Sequence, residues 1–328
     1  AASDVYKRQM LNVGIINITG YAGSEIARLV YSHPELNLVS ATGRSKAGKY
    51  LDEVFPHLEK INIKIQEELS DNVDFVFSAL PHAASAEKLS QYVDSGIPSI
   101  DISADFRLKD LETYEDWYDI KHPRPELIPQ ATYGLPELHR NEIKNSKLVA
   151  NPGCFPTGGI LSMAPAVQND LVEELIIVDS KTGISGAGRT AKEAFGFSEL
   201  NDNCAAYGTK GHRHQPEMAQ ELNFLGENKV KVLFTPHLVS MTRGILGTNY
   251  GSLKKDLDEK EVLELYKEFY KNEPFIKIVS TPPATKHTWG SNFVYLYPYI
   301  RKDTNTLVVI SALAVSYTHL TLPTKRIV

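Results

Sequence analysis

At 328 residues the chain is long enough for two domains with separate cores, and its 42% hydrophobic and 23% charged residues are ordinary for a globular protein. A net charge of −5 with no basic cluster argues against a nucleic-acid partner, and two cysteines, Cys154 and Cys204, make no disulfide framework, so a reducing cytoplasm fits best. The longest apolar run near the C-terminus, 307–315, is broken by Ser311 and too short to span a bilayer, and nothing at the N-terminus reads as a secretory signal, so no membrane partner is expected.

Residues 1–9 carry no periodicity, and 316–328 follow a well-formed strand abruptly; both read as non-native tails resembling translated adapter scars. From Leu11 the pattern becomes regular. Val13–Ile16 reads as a buried strand, and a helix follows with Ile26, Leu29 and Val30 on one face, stopping at His33-Pro34. Between them lies Asn17-Ile18-Thr19-Gly20-Tyr21-Ala22-Gly23. With Gly14, Gly20 and Gly23 at multiples of three and Asn17 where another small residue would stand, this turn makes either a pyrophosphate site or a tight turn without a ligand.

The next strand, Leu36–Ala41, runs into Thr42–Lys49, which holds Arg44, Ser45, Lys46 and Lys49 and no acid. An acid there would grip the ribose hydroxyls of NAD, so its absence favours a 2′-phosphate and hence NADP; the alternative is a solvated basic loop. Strands at 73–80 and 97–102 around a helix at 83–95 complete a doubly wound parallel sheet of Rossmann type. Pro81-His82 stands at a strand's carboxyl end, where such sheets bind ligands; equally, His82 is a loop residue with no role. Arg107 suits a phosphate through its fork of donors, or pairs with Asp105 or Asp101.

Asn151-Pro152-Gly153-Cys154-Phe155-Pro156-Thr157 follows the short strand Leu148–Ala150 and precedes a helix from about Gly158 to Val167. A thiol at such a junction sits near a helix N-terminus, where the dipole favours thiolate; the alternative is a buried structural cysteine. Beyond Cys154 strands dominate, at 175–181, 229–235, 244–250, 292–299 and 306–312, with one amphipathic helix at 258–270. That mixture implies a mixed sheet in an α+β domain. Gly183–Arg189 is a glycine-rich loop that lets backbone approach a ligand; Arg189 and Arg243 either hold a carboxylate or phosphate or lie on the surface.

These motifs, in this order, resemble the N-acetyl-γ-glutamyl-phosphate reductases, the arginine-synthesis relatives of aspartate-semialdehyde dehydrogenase. The resemblance runs from about Met10 to Ala312. It rests on Thr19–Gly23, Leu80-Pro81-His82, Ser103–Leu108, Tyr133–Glu137, Asn151–Thr157, Gly183–Arg189, Gly211–Glu217, Thr235–Leu238, Met241–Ile245, His287-Thr288 and Gly290–Phe293. It implies an α/β protein with an NADP-binding domain at 10–152 and a catalytic and dimerisation domain at 153–313. It also implies a cytoplasmic homo-oligomer, a dimer or tetramer, acting on a small acyl phosphate without a metal. Cys154 is then the nucleophile and His214 its acid/base partner, with His212 the other candidate. Arg107, Arg189, His212, Glu217 and Arg243 would face substrate, with Glu217 alternatively orienting the imidazole or capping the helix near Pro216. Gly14, Asn17, Thr19, Gly20, Tyr21, Ala22, Gly23, Arg44, Ser45, Pro81, Ser185 and Gly186 would face the cofactor.

Departures from the family pattern are Asn17 for a glycine, Ser240 for a proline, and a sequence after Leu313 that lacks the expected Asp-Asn-Leu and following helix. The last implies a truncated chain with weak NADP binding and poor turnover. Two rival readings stand beside the first: a carrier-protein-linked aminoadipyl phosphate reductase, disfavoured by Asn151-Pro152-Gly153 and Ser185-Gly186-Ala187-Gly188, and a catalytically inactive nucleotide-binding module.

Overall fold

The computed structural model describes residues 10–189 and 193–314; both segments read as tails lie outside the described residues. The chain forms two compact units. Within the described residues the first holds 10–111 and 120–151, the second 112–119 and 152–314.

The first unit begins β1 (Leu11–Ile16), α1 (Tyr21–Ser32), β2 (Leu36–Ala41), α2 (Leu51–Val54), β3 (Phe75–Ser78), α3 (Ala84–Asp94) and β4 (Ser99–Asp101). Helix α4 (Leu111–Tyr118) then passes mainly to the second unit, and β5 (Ala131–Tyr133), α5 (Pro136–Asn145) and β6 (Leu148–Ala150) return. All six strands are parallel, in the order β2-β1-β3-β4-β6-β5. Strand order therefore reverses between β1 and β3, and the crevice outside their carboxyl ends is where a doubly wound sheet takes its ligand. Val13, Ile15, Val76, Phe77 and Ile100 are all but fully buried, as the near-continuous apolar runs of a two-sided sheet require.

The second unit is built on α6 (Cys154–Gln168), buried along almost its whole length. Around it come β7 (Val172–Thr182), α7 (Phe197–Leu200), β8 (Cys204–Ala206), α8 (His214–Leu225), β9 (Lys231–Val239), β10 (Ile245–Leu253), α9 (Glu259–Phe269), β11 (Ile276–Ile278), β12 (Val294–Arg301) and β13 (Thr306–Leu313). The sheet order is β11-β12-β13-β10-β7-β9-β8, with parallel pairs at β11/β12 and β7/β9 and antiparallel pairs elsewhere. This is the mixed sheet expected from the strand-rich pattern.

One face of that sheet packs on α6, where Gly158 lets the helix approach Leu313 closely and Gly159 makes room for Met218 of α8. Pro165 sits inside α6 and has no N–H for the carbonyl of Leu161, four residues earlier. The hydroxyl of Tyr270 supplies the missing donor at 2.7 Å, and Tyr266 donates to the neighbouring Ser162 carbonyl at 2.7 Å. Tyr270, at the end of the amphipathic helix, thus offsets the break made by proline. The opposite sheet face stays half-exposed, with Leu175, Leu233 and Tyr250 accessible and Tyr297 stacked on Tyr299.

Candidate active site

In the first unit, Asn17 follows β1 in the left-handed region, at φ 63°, a conformation asparagine tolerates. Its backbone N–H donates to Thr42 Oγ1 at 3.2 Å and its Nδ2 donates to the Ala79 carbonyl at 2.8 Å, tying together the ends of β1, β2 and β3. Gly20 then caps α1 with no side-chain acceptor and no acid in the first turn. A Cβ on Gly20 would meet nothing nearer than 3.9 Å, whereas one on Gly23 would stand 2.4 Å from the Asn17 carbonyl. Gly23 is therefore needed for helix to lie on strand, and the open side above Gly20 leaves the first-turn N–H groups of Tyr21, Ala22 and Gly23 facing outward as donors for an anion. Thr19 packs on Gly43, next to the exposed Arg44 and Ser45. These residues fit a dinucleotide.

Gly14 does not belong to that set. It lies inside β1, where a Cβ would come 2.7 Å from Leu69 Cδ1, so its small size serves packing rather than phosphate contact. Arg107 is likewise turned inward. It is 7% exposed, and its Nε donates to the Asn151 carbonyl at 2.7 Å and Nη2 to the Ile102 carbonyl at 2.9 Å. These two bonds fix the end of β6, from which the chain continues to Cys154, and turn the guanidinium inward.

Pro81 is exposed at the end of the β3 loop, before Ala83, which holds φ 66°. Asp105, fully buried, accepts from the Ala83 N–H at 2.7 Å and the Ala86 N–H at 2.8 Å and so clamps that strained turn to the start of α3. Beside it Asp101 accepts from Ser103 and Ser85, and burial, followed by the charge of Asp105, pushes its carboxyl up to about 6.

In the second unit Cys154 is the first residue of α6 and is half-buried; Pro156 lies in the first turn, where a missing N–H costs nothing. The helix begins at the thiol itself, four residues earlier than the sequence pattern suggested, and this brings Cys154 into the strongest part of the dipole. Glu217, 1% exposed, reaches from α8 to accept the N–H of Gly153, the cap residue of α6, at 2.7 Å. One carboxylate oxygen is thereby given to the backbone immediately before Cys154.

Helix α8 starts at His214, and the ring of Phe155, next to Cys154, lies 5.8 Å from both His212 and His214. The two imidazoles are 4.8 Å apart, and Phe234 and Tyr207 close on His212 at 5.2 and 5.6 Å. Tyr207 was not anticipated from sequence. Its phenol is pushed well above the ordinary tyrosine value, by burial first and by Cys154 second, which marks it as a neighbour of the thiol. Nor was α4, whose Trp117 ring would touch a Cβ on Gly211 at 3.1 Å and whose Tyr118 takes the Arg213 guanidinium over its face at 5.2 Å. Long-range packing of this kind leaves no local sequence signal.

The loop at 183–188 is laced to the next one by the N–H groups of Gly183, Ile184 and Ser185, which donate to the carbonyls of Gly244, Met241 and Thr242 at 3.0 Å each. Ser185 Oγ is buried with no hydrogen-bond partner among the described residues, which suits a ligand hydroxyl or amide. Gly186 lies in the same turn, and Arg189 and Arg243 stand exposed on the two loops.

Residues 12–146 match the family model of the semialdehyde dehydrogenase NAD binding domain, and residues 154–314 that of the semialdehyde dehydrogenase dimerisation domain. An N-acetyl-γ-glutamyl-phosphate reductase of Dehalococcoides mccartyi is 49% identical over 92% of this chain and 88% of its own length. Reductases of the same name from Acetivibrio thermocellus and Methanococcus maripaludis are 43% and 44% identical over 93% of this chain and 90% of theirs. Among solved structures, aspartate semialdehyde dehydrogenase II of Vibrio cholerae superposes with a TM-score of 0.70 at 14% identity, covering 95% of each chain. The NADP-bound aspartate semialdehyde dehydrogenase of Candida albicans gives 0.69 at 14% identity, over 95% of this chain and 97% of that one. These structural likenesses carry the fold.

Proposed function

The chain belongs to the N-acetyl-γ-glutamyl-phosphate reductase family, and from that premise we propose that it reduces N-acetyl-γ-glutamyl phosphate to the γ-semialdehyde with release of phosphate, a step of arginine synthesis. The observation that carries the reading is Cys154 at the first position of α6 with the rings of His212 and His214 against the adjoining Phe155. Helix dipole and neighbouring imidazole together hold a thiol as thiolate. The thiolate of Cys154 attacks the acyl carbon, the carbon–oxygen bond to phosphate breaks, and an acyl thioester remains on sulfur. A nicotinamide cofactor, when bound, supplies the hydride that this chain has no group to furnish. His214 protonates the oxygen of the reduced adduct and takes the proton back as the thiohemiacetal collapses to aldehyde and thiolate.

The cofactor we assign is NADP. Asn17, Thr19, Gly20, Tyr21, Ala22 and Gly23 would hold its pyrophosphate at the N-terminus of α1, and Arg44 with Ser45, where no acid follows β2, its 2′-phosphate. Pro81, Ser185 and Gly186 would face the nicotinamide half. Arg189 and Arg243 suit the carboxylate and phosphate of the substrate. The half-exposed sheet face bearing Leu175, Leu233 and Tyr250 supports pairing with a second copy. Among the described residues no helix is long and apolar enough to cross a membrane, and neither cysteine is in a disulfide, which suits a cytoplasmic enzyme. The reverse reaction tests the assignment: the γ-semialdehyde, NADP and inorganic phosphate should yield NADPH, arsenate should replace phosphate, and Cys154→Ser should be silent. NADPH formation independent of phosphate or arsenate would overturn it.

A further inference from the structure

Acid/base work at His214 leaves the second imidazole without a task, yet its environment is the more sharply defined of the two. His212 Nδ1 accepts a hydrogen bond from the backbone N–H of His214 at 3.2 Å. A ring nitrogen that accepts carries no proton, so in the neutral ring the proton sits on Nε2. A second proton would set N–H against N–H. The ring is also flanked by Phe155, Tyr207, Phe234 and His214, and a Cβ on Gly208, which holds φ 58°, would come within 3.2 Å of its Cδ2. Burial, and then the adjacent Arg213, bring its pKa down to about 4, so the ring stays neutral across the working range. Among the described residues Nε2–H meets no acceptor, and Tyr207, packed on this ring, lies in the field of Cys154.

Resting on the acyl-phosphate reading above, we propose that His212 is a tautomer-locked neutral donor whose Nε2–H holds the oxygen of the acyl group on Cys154. When the thiolate adds to the acyl carbon, the carbonyl electron pair moves to oxygen and is met by this N–H; as phosphate leaves, the pair returns to form the thioester. The same donor meets the oxygen again after hydride delivery. His212 keeps its proton throughout, because a neutral imidazole is far too weak an acid to give it up, and this separates it from His214, which does transfer one. An uncharged ring that polarises a carbonyl without protonating it is a known use of a depressed histidine.

The test uses the whole chain with 15N-labelled histidine. His212 should keep the Nε2–H tautomer from pH 6 to pH 9, and adding acetaldehyde, which forms a thiohemiacetal on Cys154, should shift its Nε2 resonance in the native chain and not in Cys154→Ser. In turnover, His212→Phe, which keeps a ring but no donor, should lose about 10²- to 10³-fold in kcat with little change in KM. His212→Gln, which returns a donor near Nε2, should recover at least tenfold, and both should keep the pH limb that a His214 variant abolishes. A His212 that protonates between pH 6 and 8, an Nε2 resonance indifferent to the aldehyde, or His212→Phe with native kcat overturns the proposal. Native protein that gives the aldehyde shift but no acyl-phosphate turnover refutes the assigned reaction and leaves the donor standing.

Discussion

Replacing Glu217 separates the support of the backbone beside Cys154 from the thiol itself. Its carboxylate is 1% exposed and accepts the buried N–H of Gly153 at 2.7 Å, one residue before the thiol. A hydrogen bond to a charged group contributes about 1.5–3 kcal/mol, and an N–H left buried without an acceptor costs about 1–3 kcal/mol. Glu217→Ala loses the bond, strands that N–H and opens a cavity, so the second unit should be destabilised by about 3–5 kcal/mol. Glu217→Gln keeps an oxygen in place and gives up the charge while relieving its burial, and should cost no more than about 1.5 kcal/mol. Urea unfolding followed by tryptophan fluorescence measures this directly, because both tryptophans, Trp117 and Trp289, lie in the second unit. Glu217→Ala should also slow alkylation of Cys154 at neutral pH by disordering the start of α6. Equal midpoints for Ala and Gln, or a native midpoint for Ala, would refute the reasoning.

Other perturbations read separate parts of the fold. Tyr270→Phe removes the donor that serves the Leu161 carbonyl opposite Pro165 and should cost about 1–3 kcal/mol in the same urea assay; restoring the helical donor with Pro165→Ala in the double variant should recover much of it. Ala83→Gly relieves a non-glycine residue at φ 66°; strain of about 1–3 kcal/mol outweighs the entropy cost of glycine, so hydrogen exchange of α3 and β3 should slow, whereas faster exchange would contradict the strain. Asp101 has its folded pKa raised from 3.8 to about 6 by burial and then Asp105. Its protonated form is the favoured one in the folded state, so its contribution is full below about pH 4 and is lost as pH rises through about 6. Native protein should therefore gain stability relative to Asp101→Asn on going from pH 7 to pH 4, and a pH-independent difference would remove Asp101 from the account.

Strong local periodicity made the frame legible: β1, the glycine turn and α1, the later strands of the second unit and its amphipathic helix all announce themselves by spacing. Cys154 stood out as well, though the start of its helix did not, because Phe-Pro-Thr reads as a turn until the first-turn tolerance for proline is weighed against it. Arg107 and Glu217 carried the right chemistry for ligand contact, and only packing reveals that each also bonds internally, to the Asn151 carbonyl and the Gly153 N–H. Gly14 shares the spacing of a phosphate turn and owes its size to Leu69, more than fifty residues away. Tyr207, Trp117 and Tyr118 escaped for the same reason. Nothing near them in the chain says that α4 joins the second unit or that β8, three residues long, delivers a phenol to the thiol's surroundings.

The central claim, a covalent acyl group on one sulfur, is open to direct observation. The chain incubated with the acyl phosphate and no reduced nucleotide should gain the mass of one acyl group on the peptide carrying Cys154, release about one equivalent of phosphate, and lose the label when NADPH is added. An unlabelled Cys154, with phosphate released or aldehyde formed all the same, would contradict it.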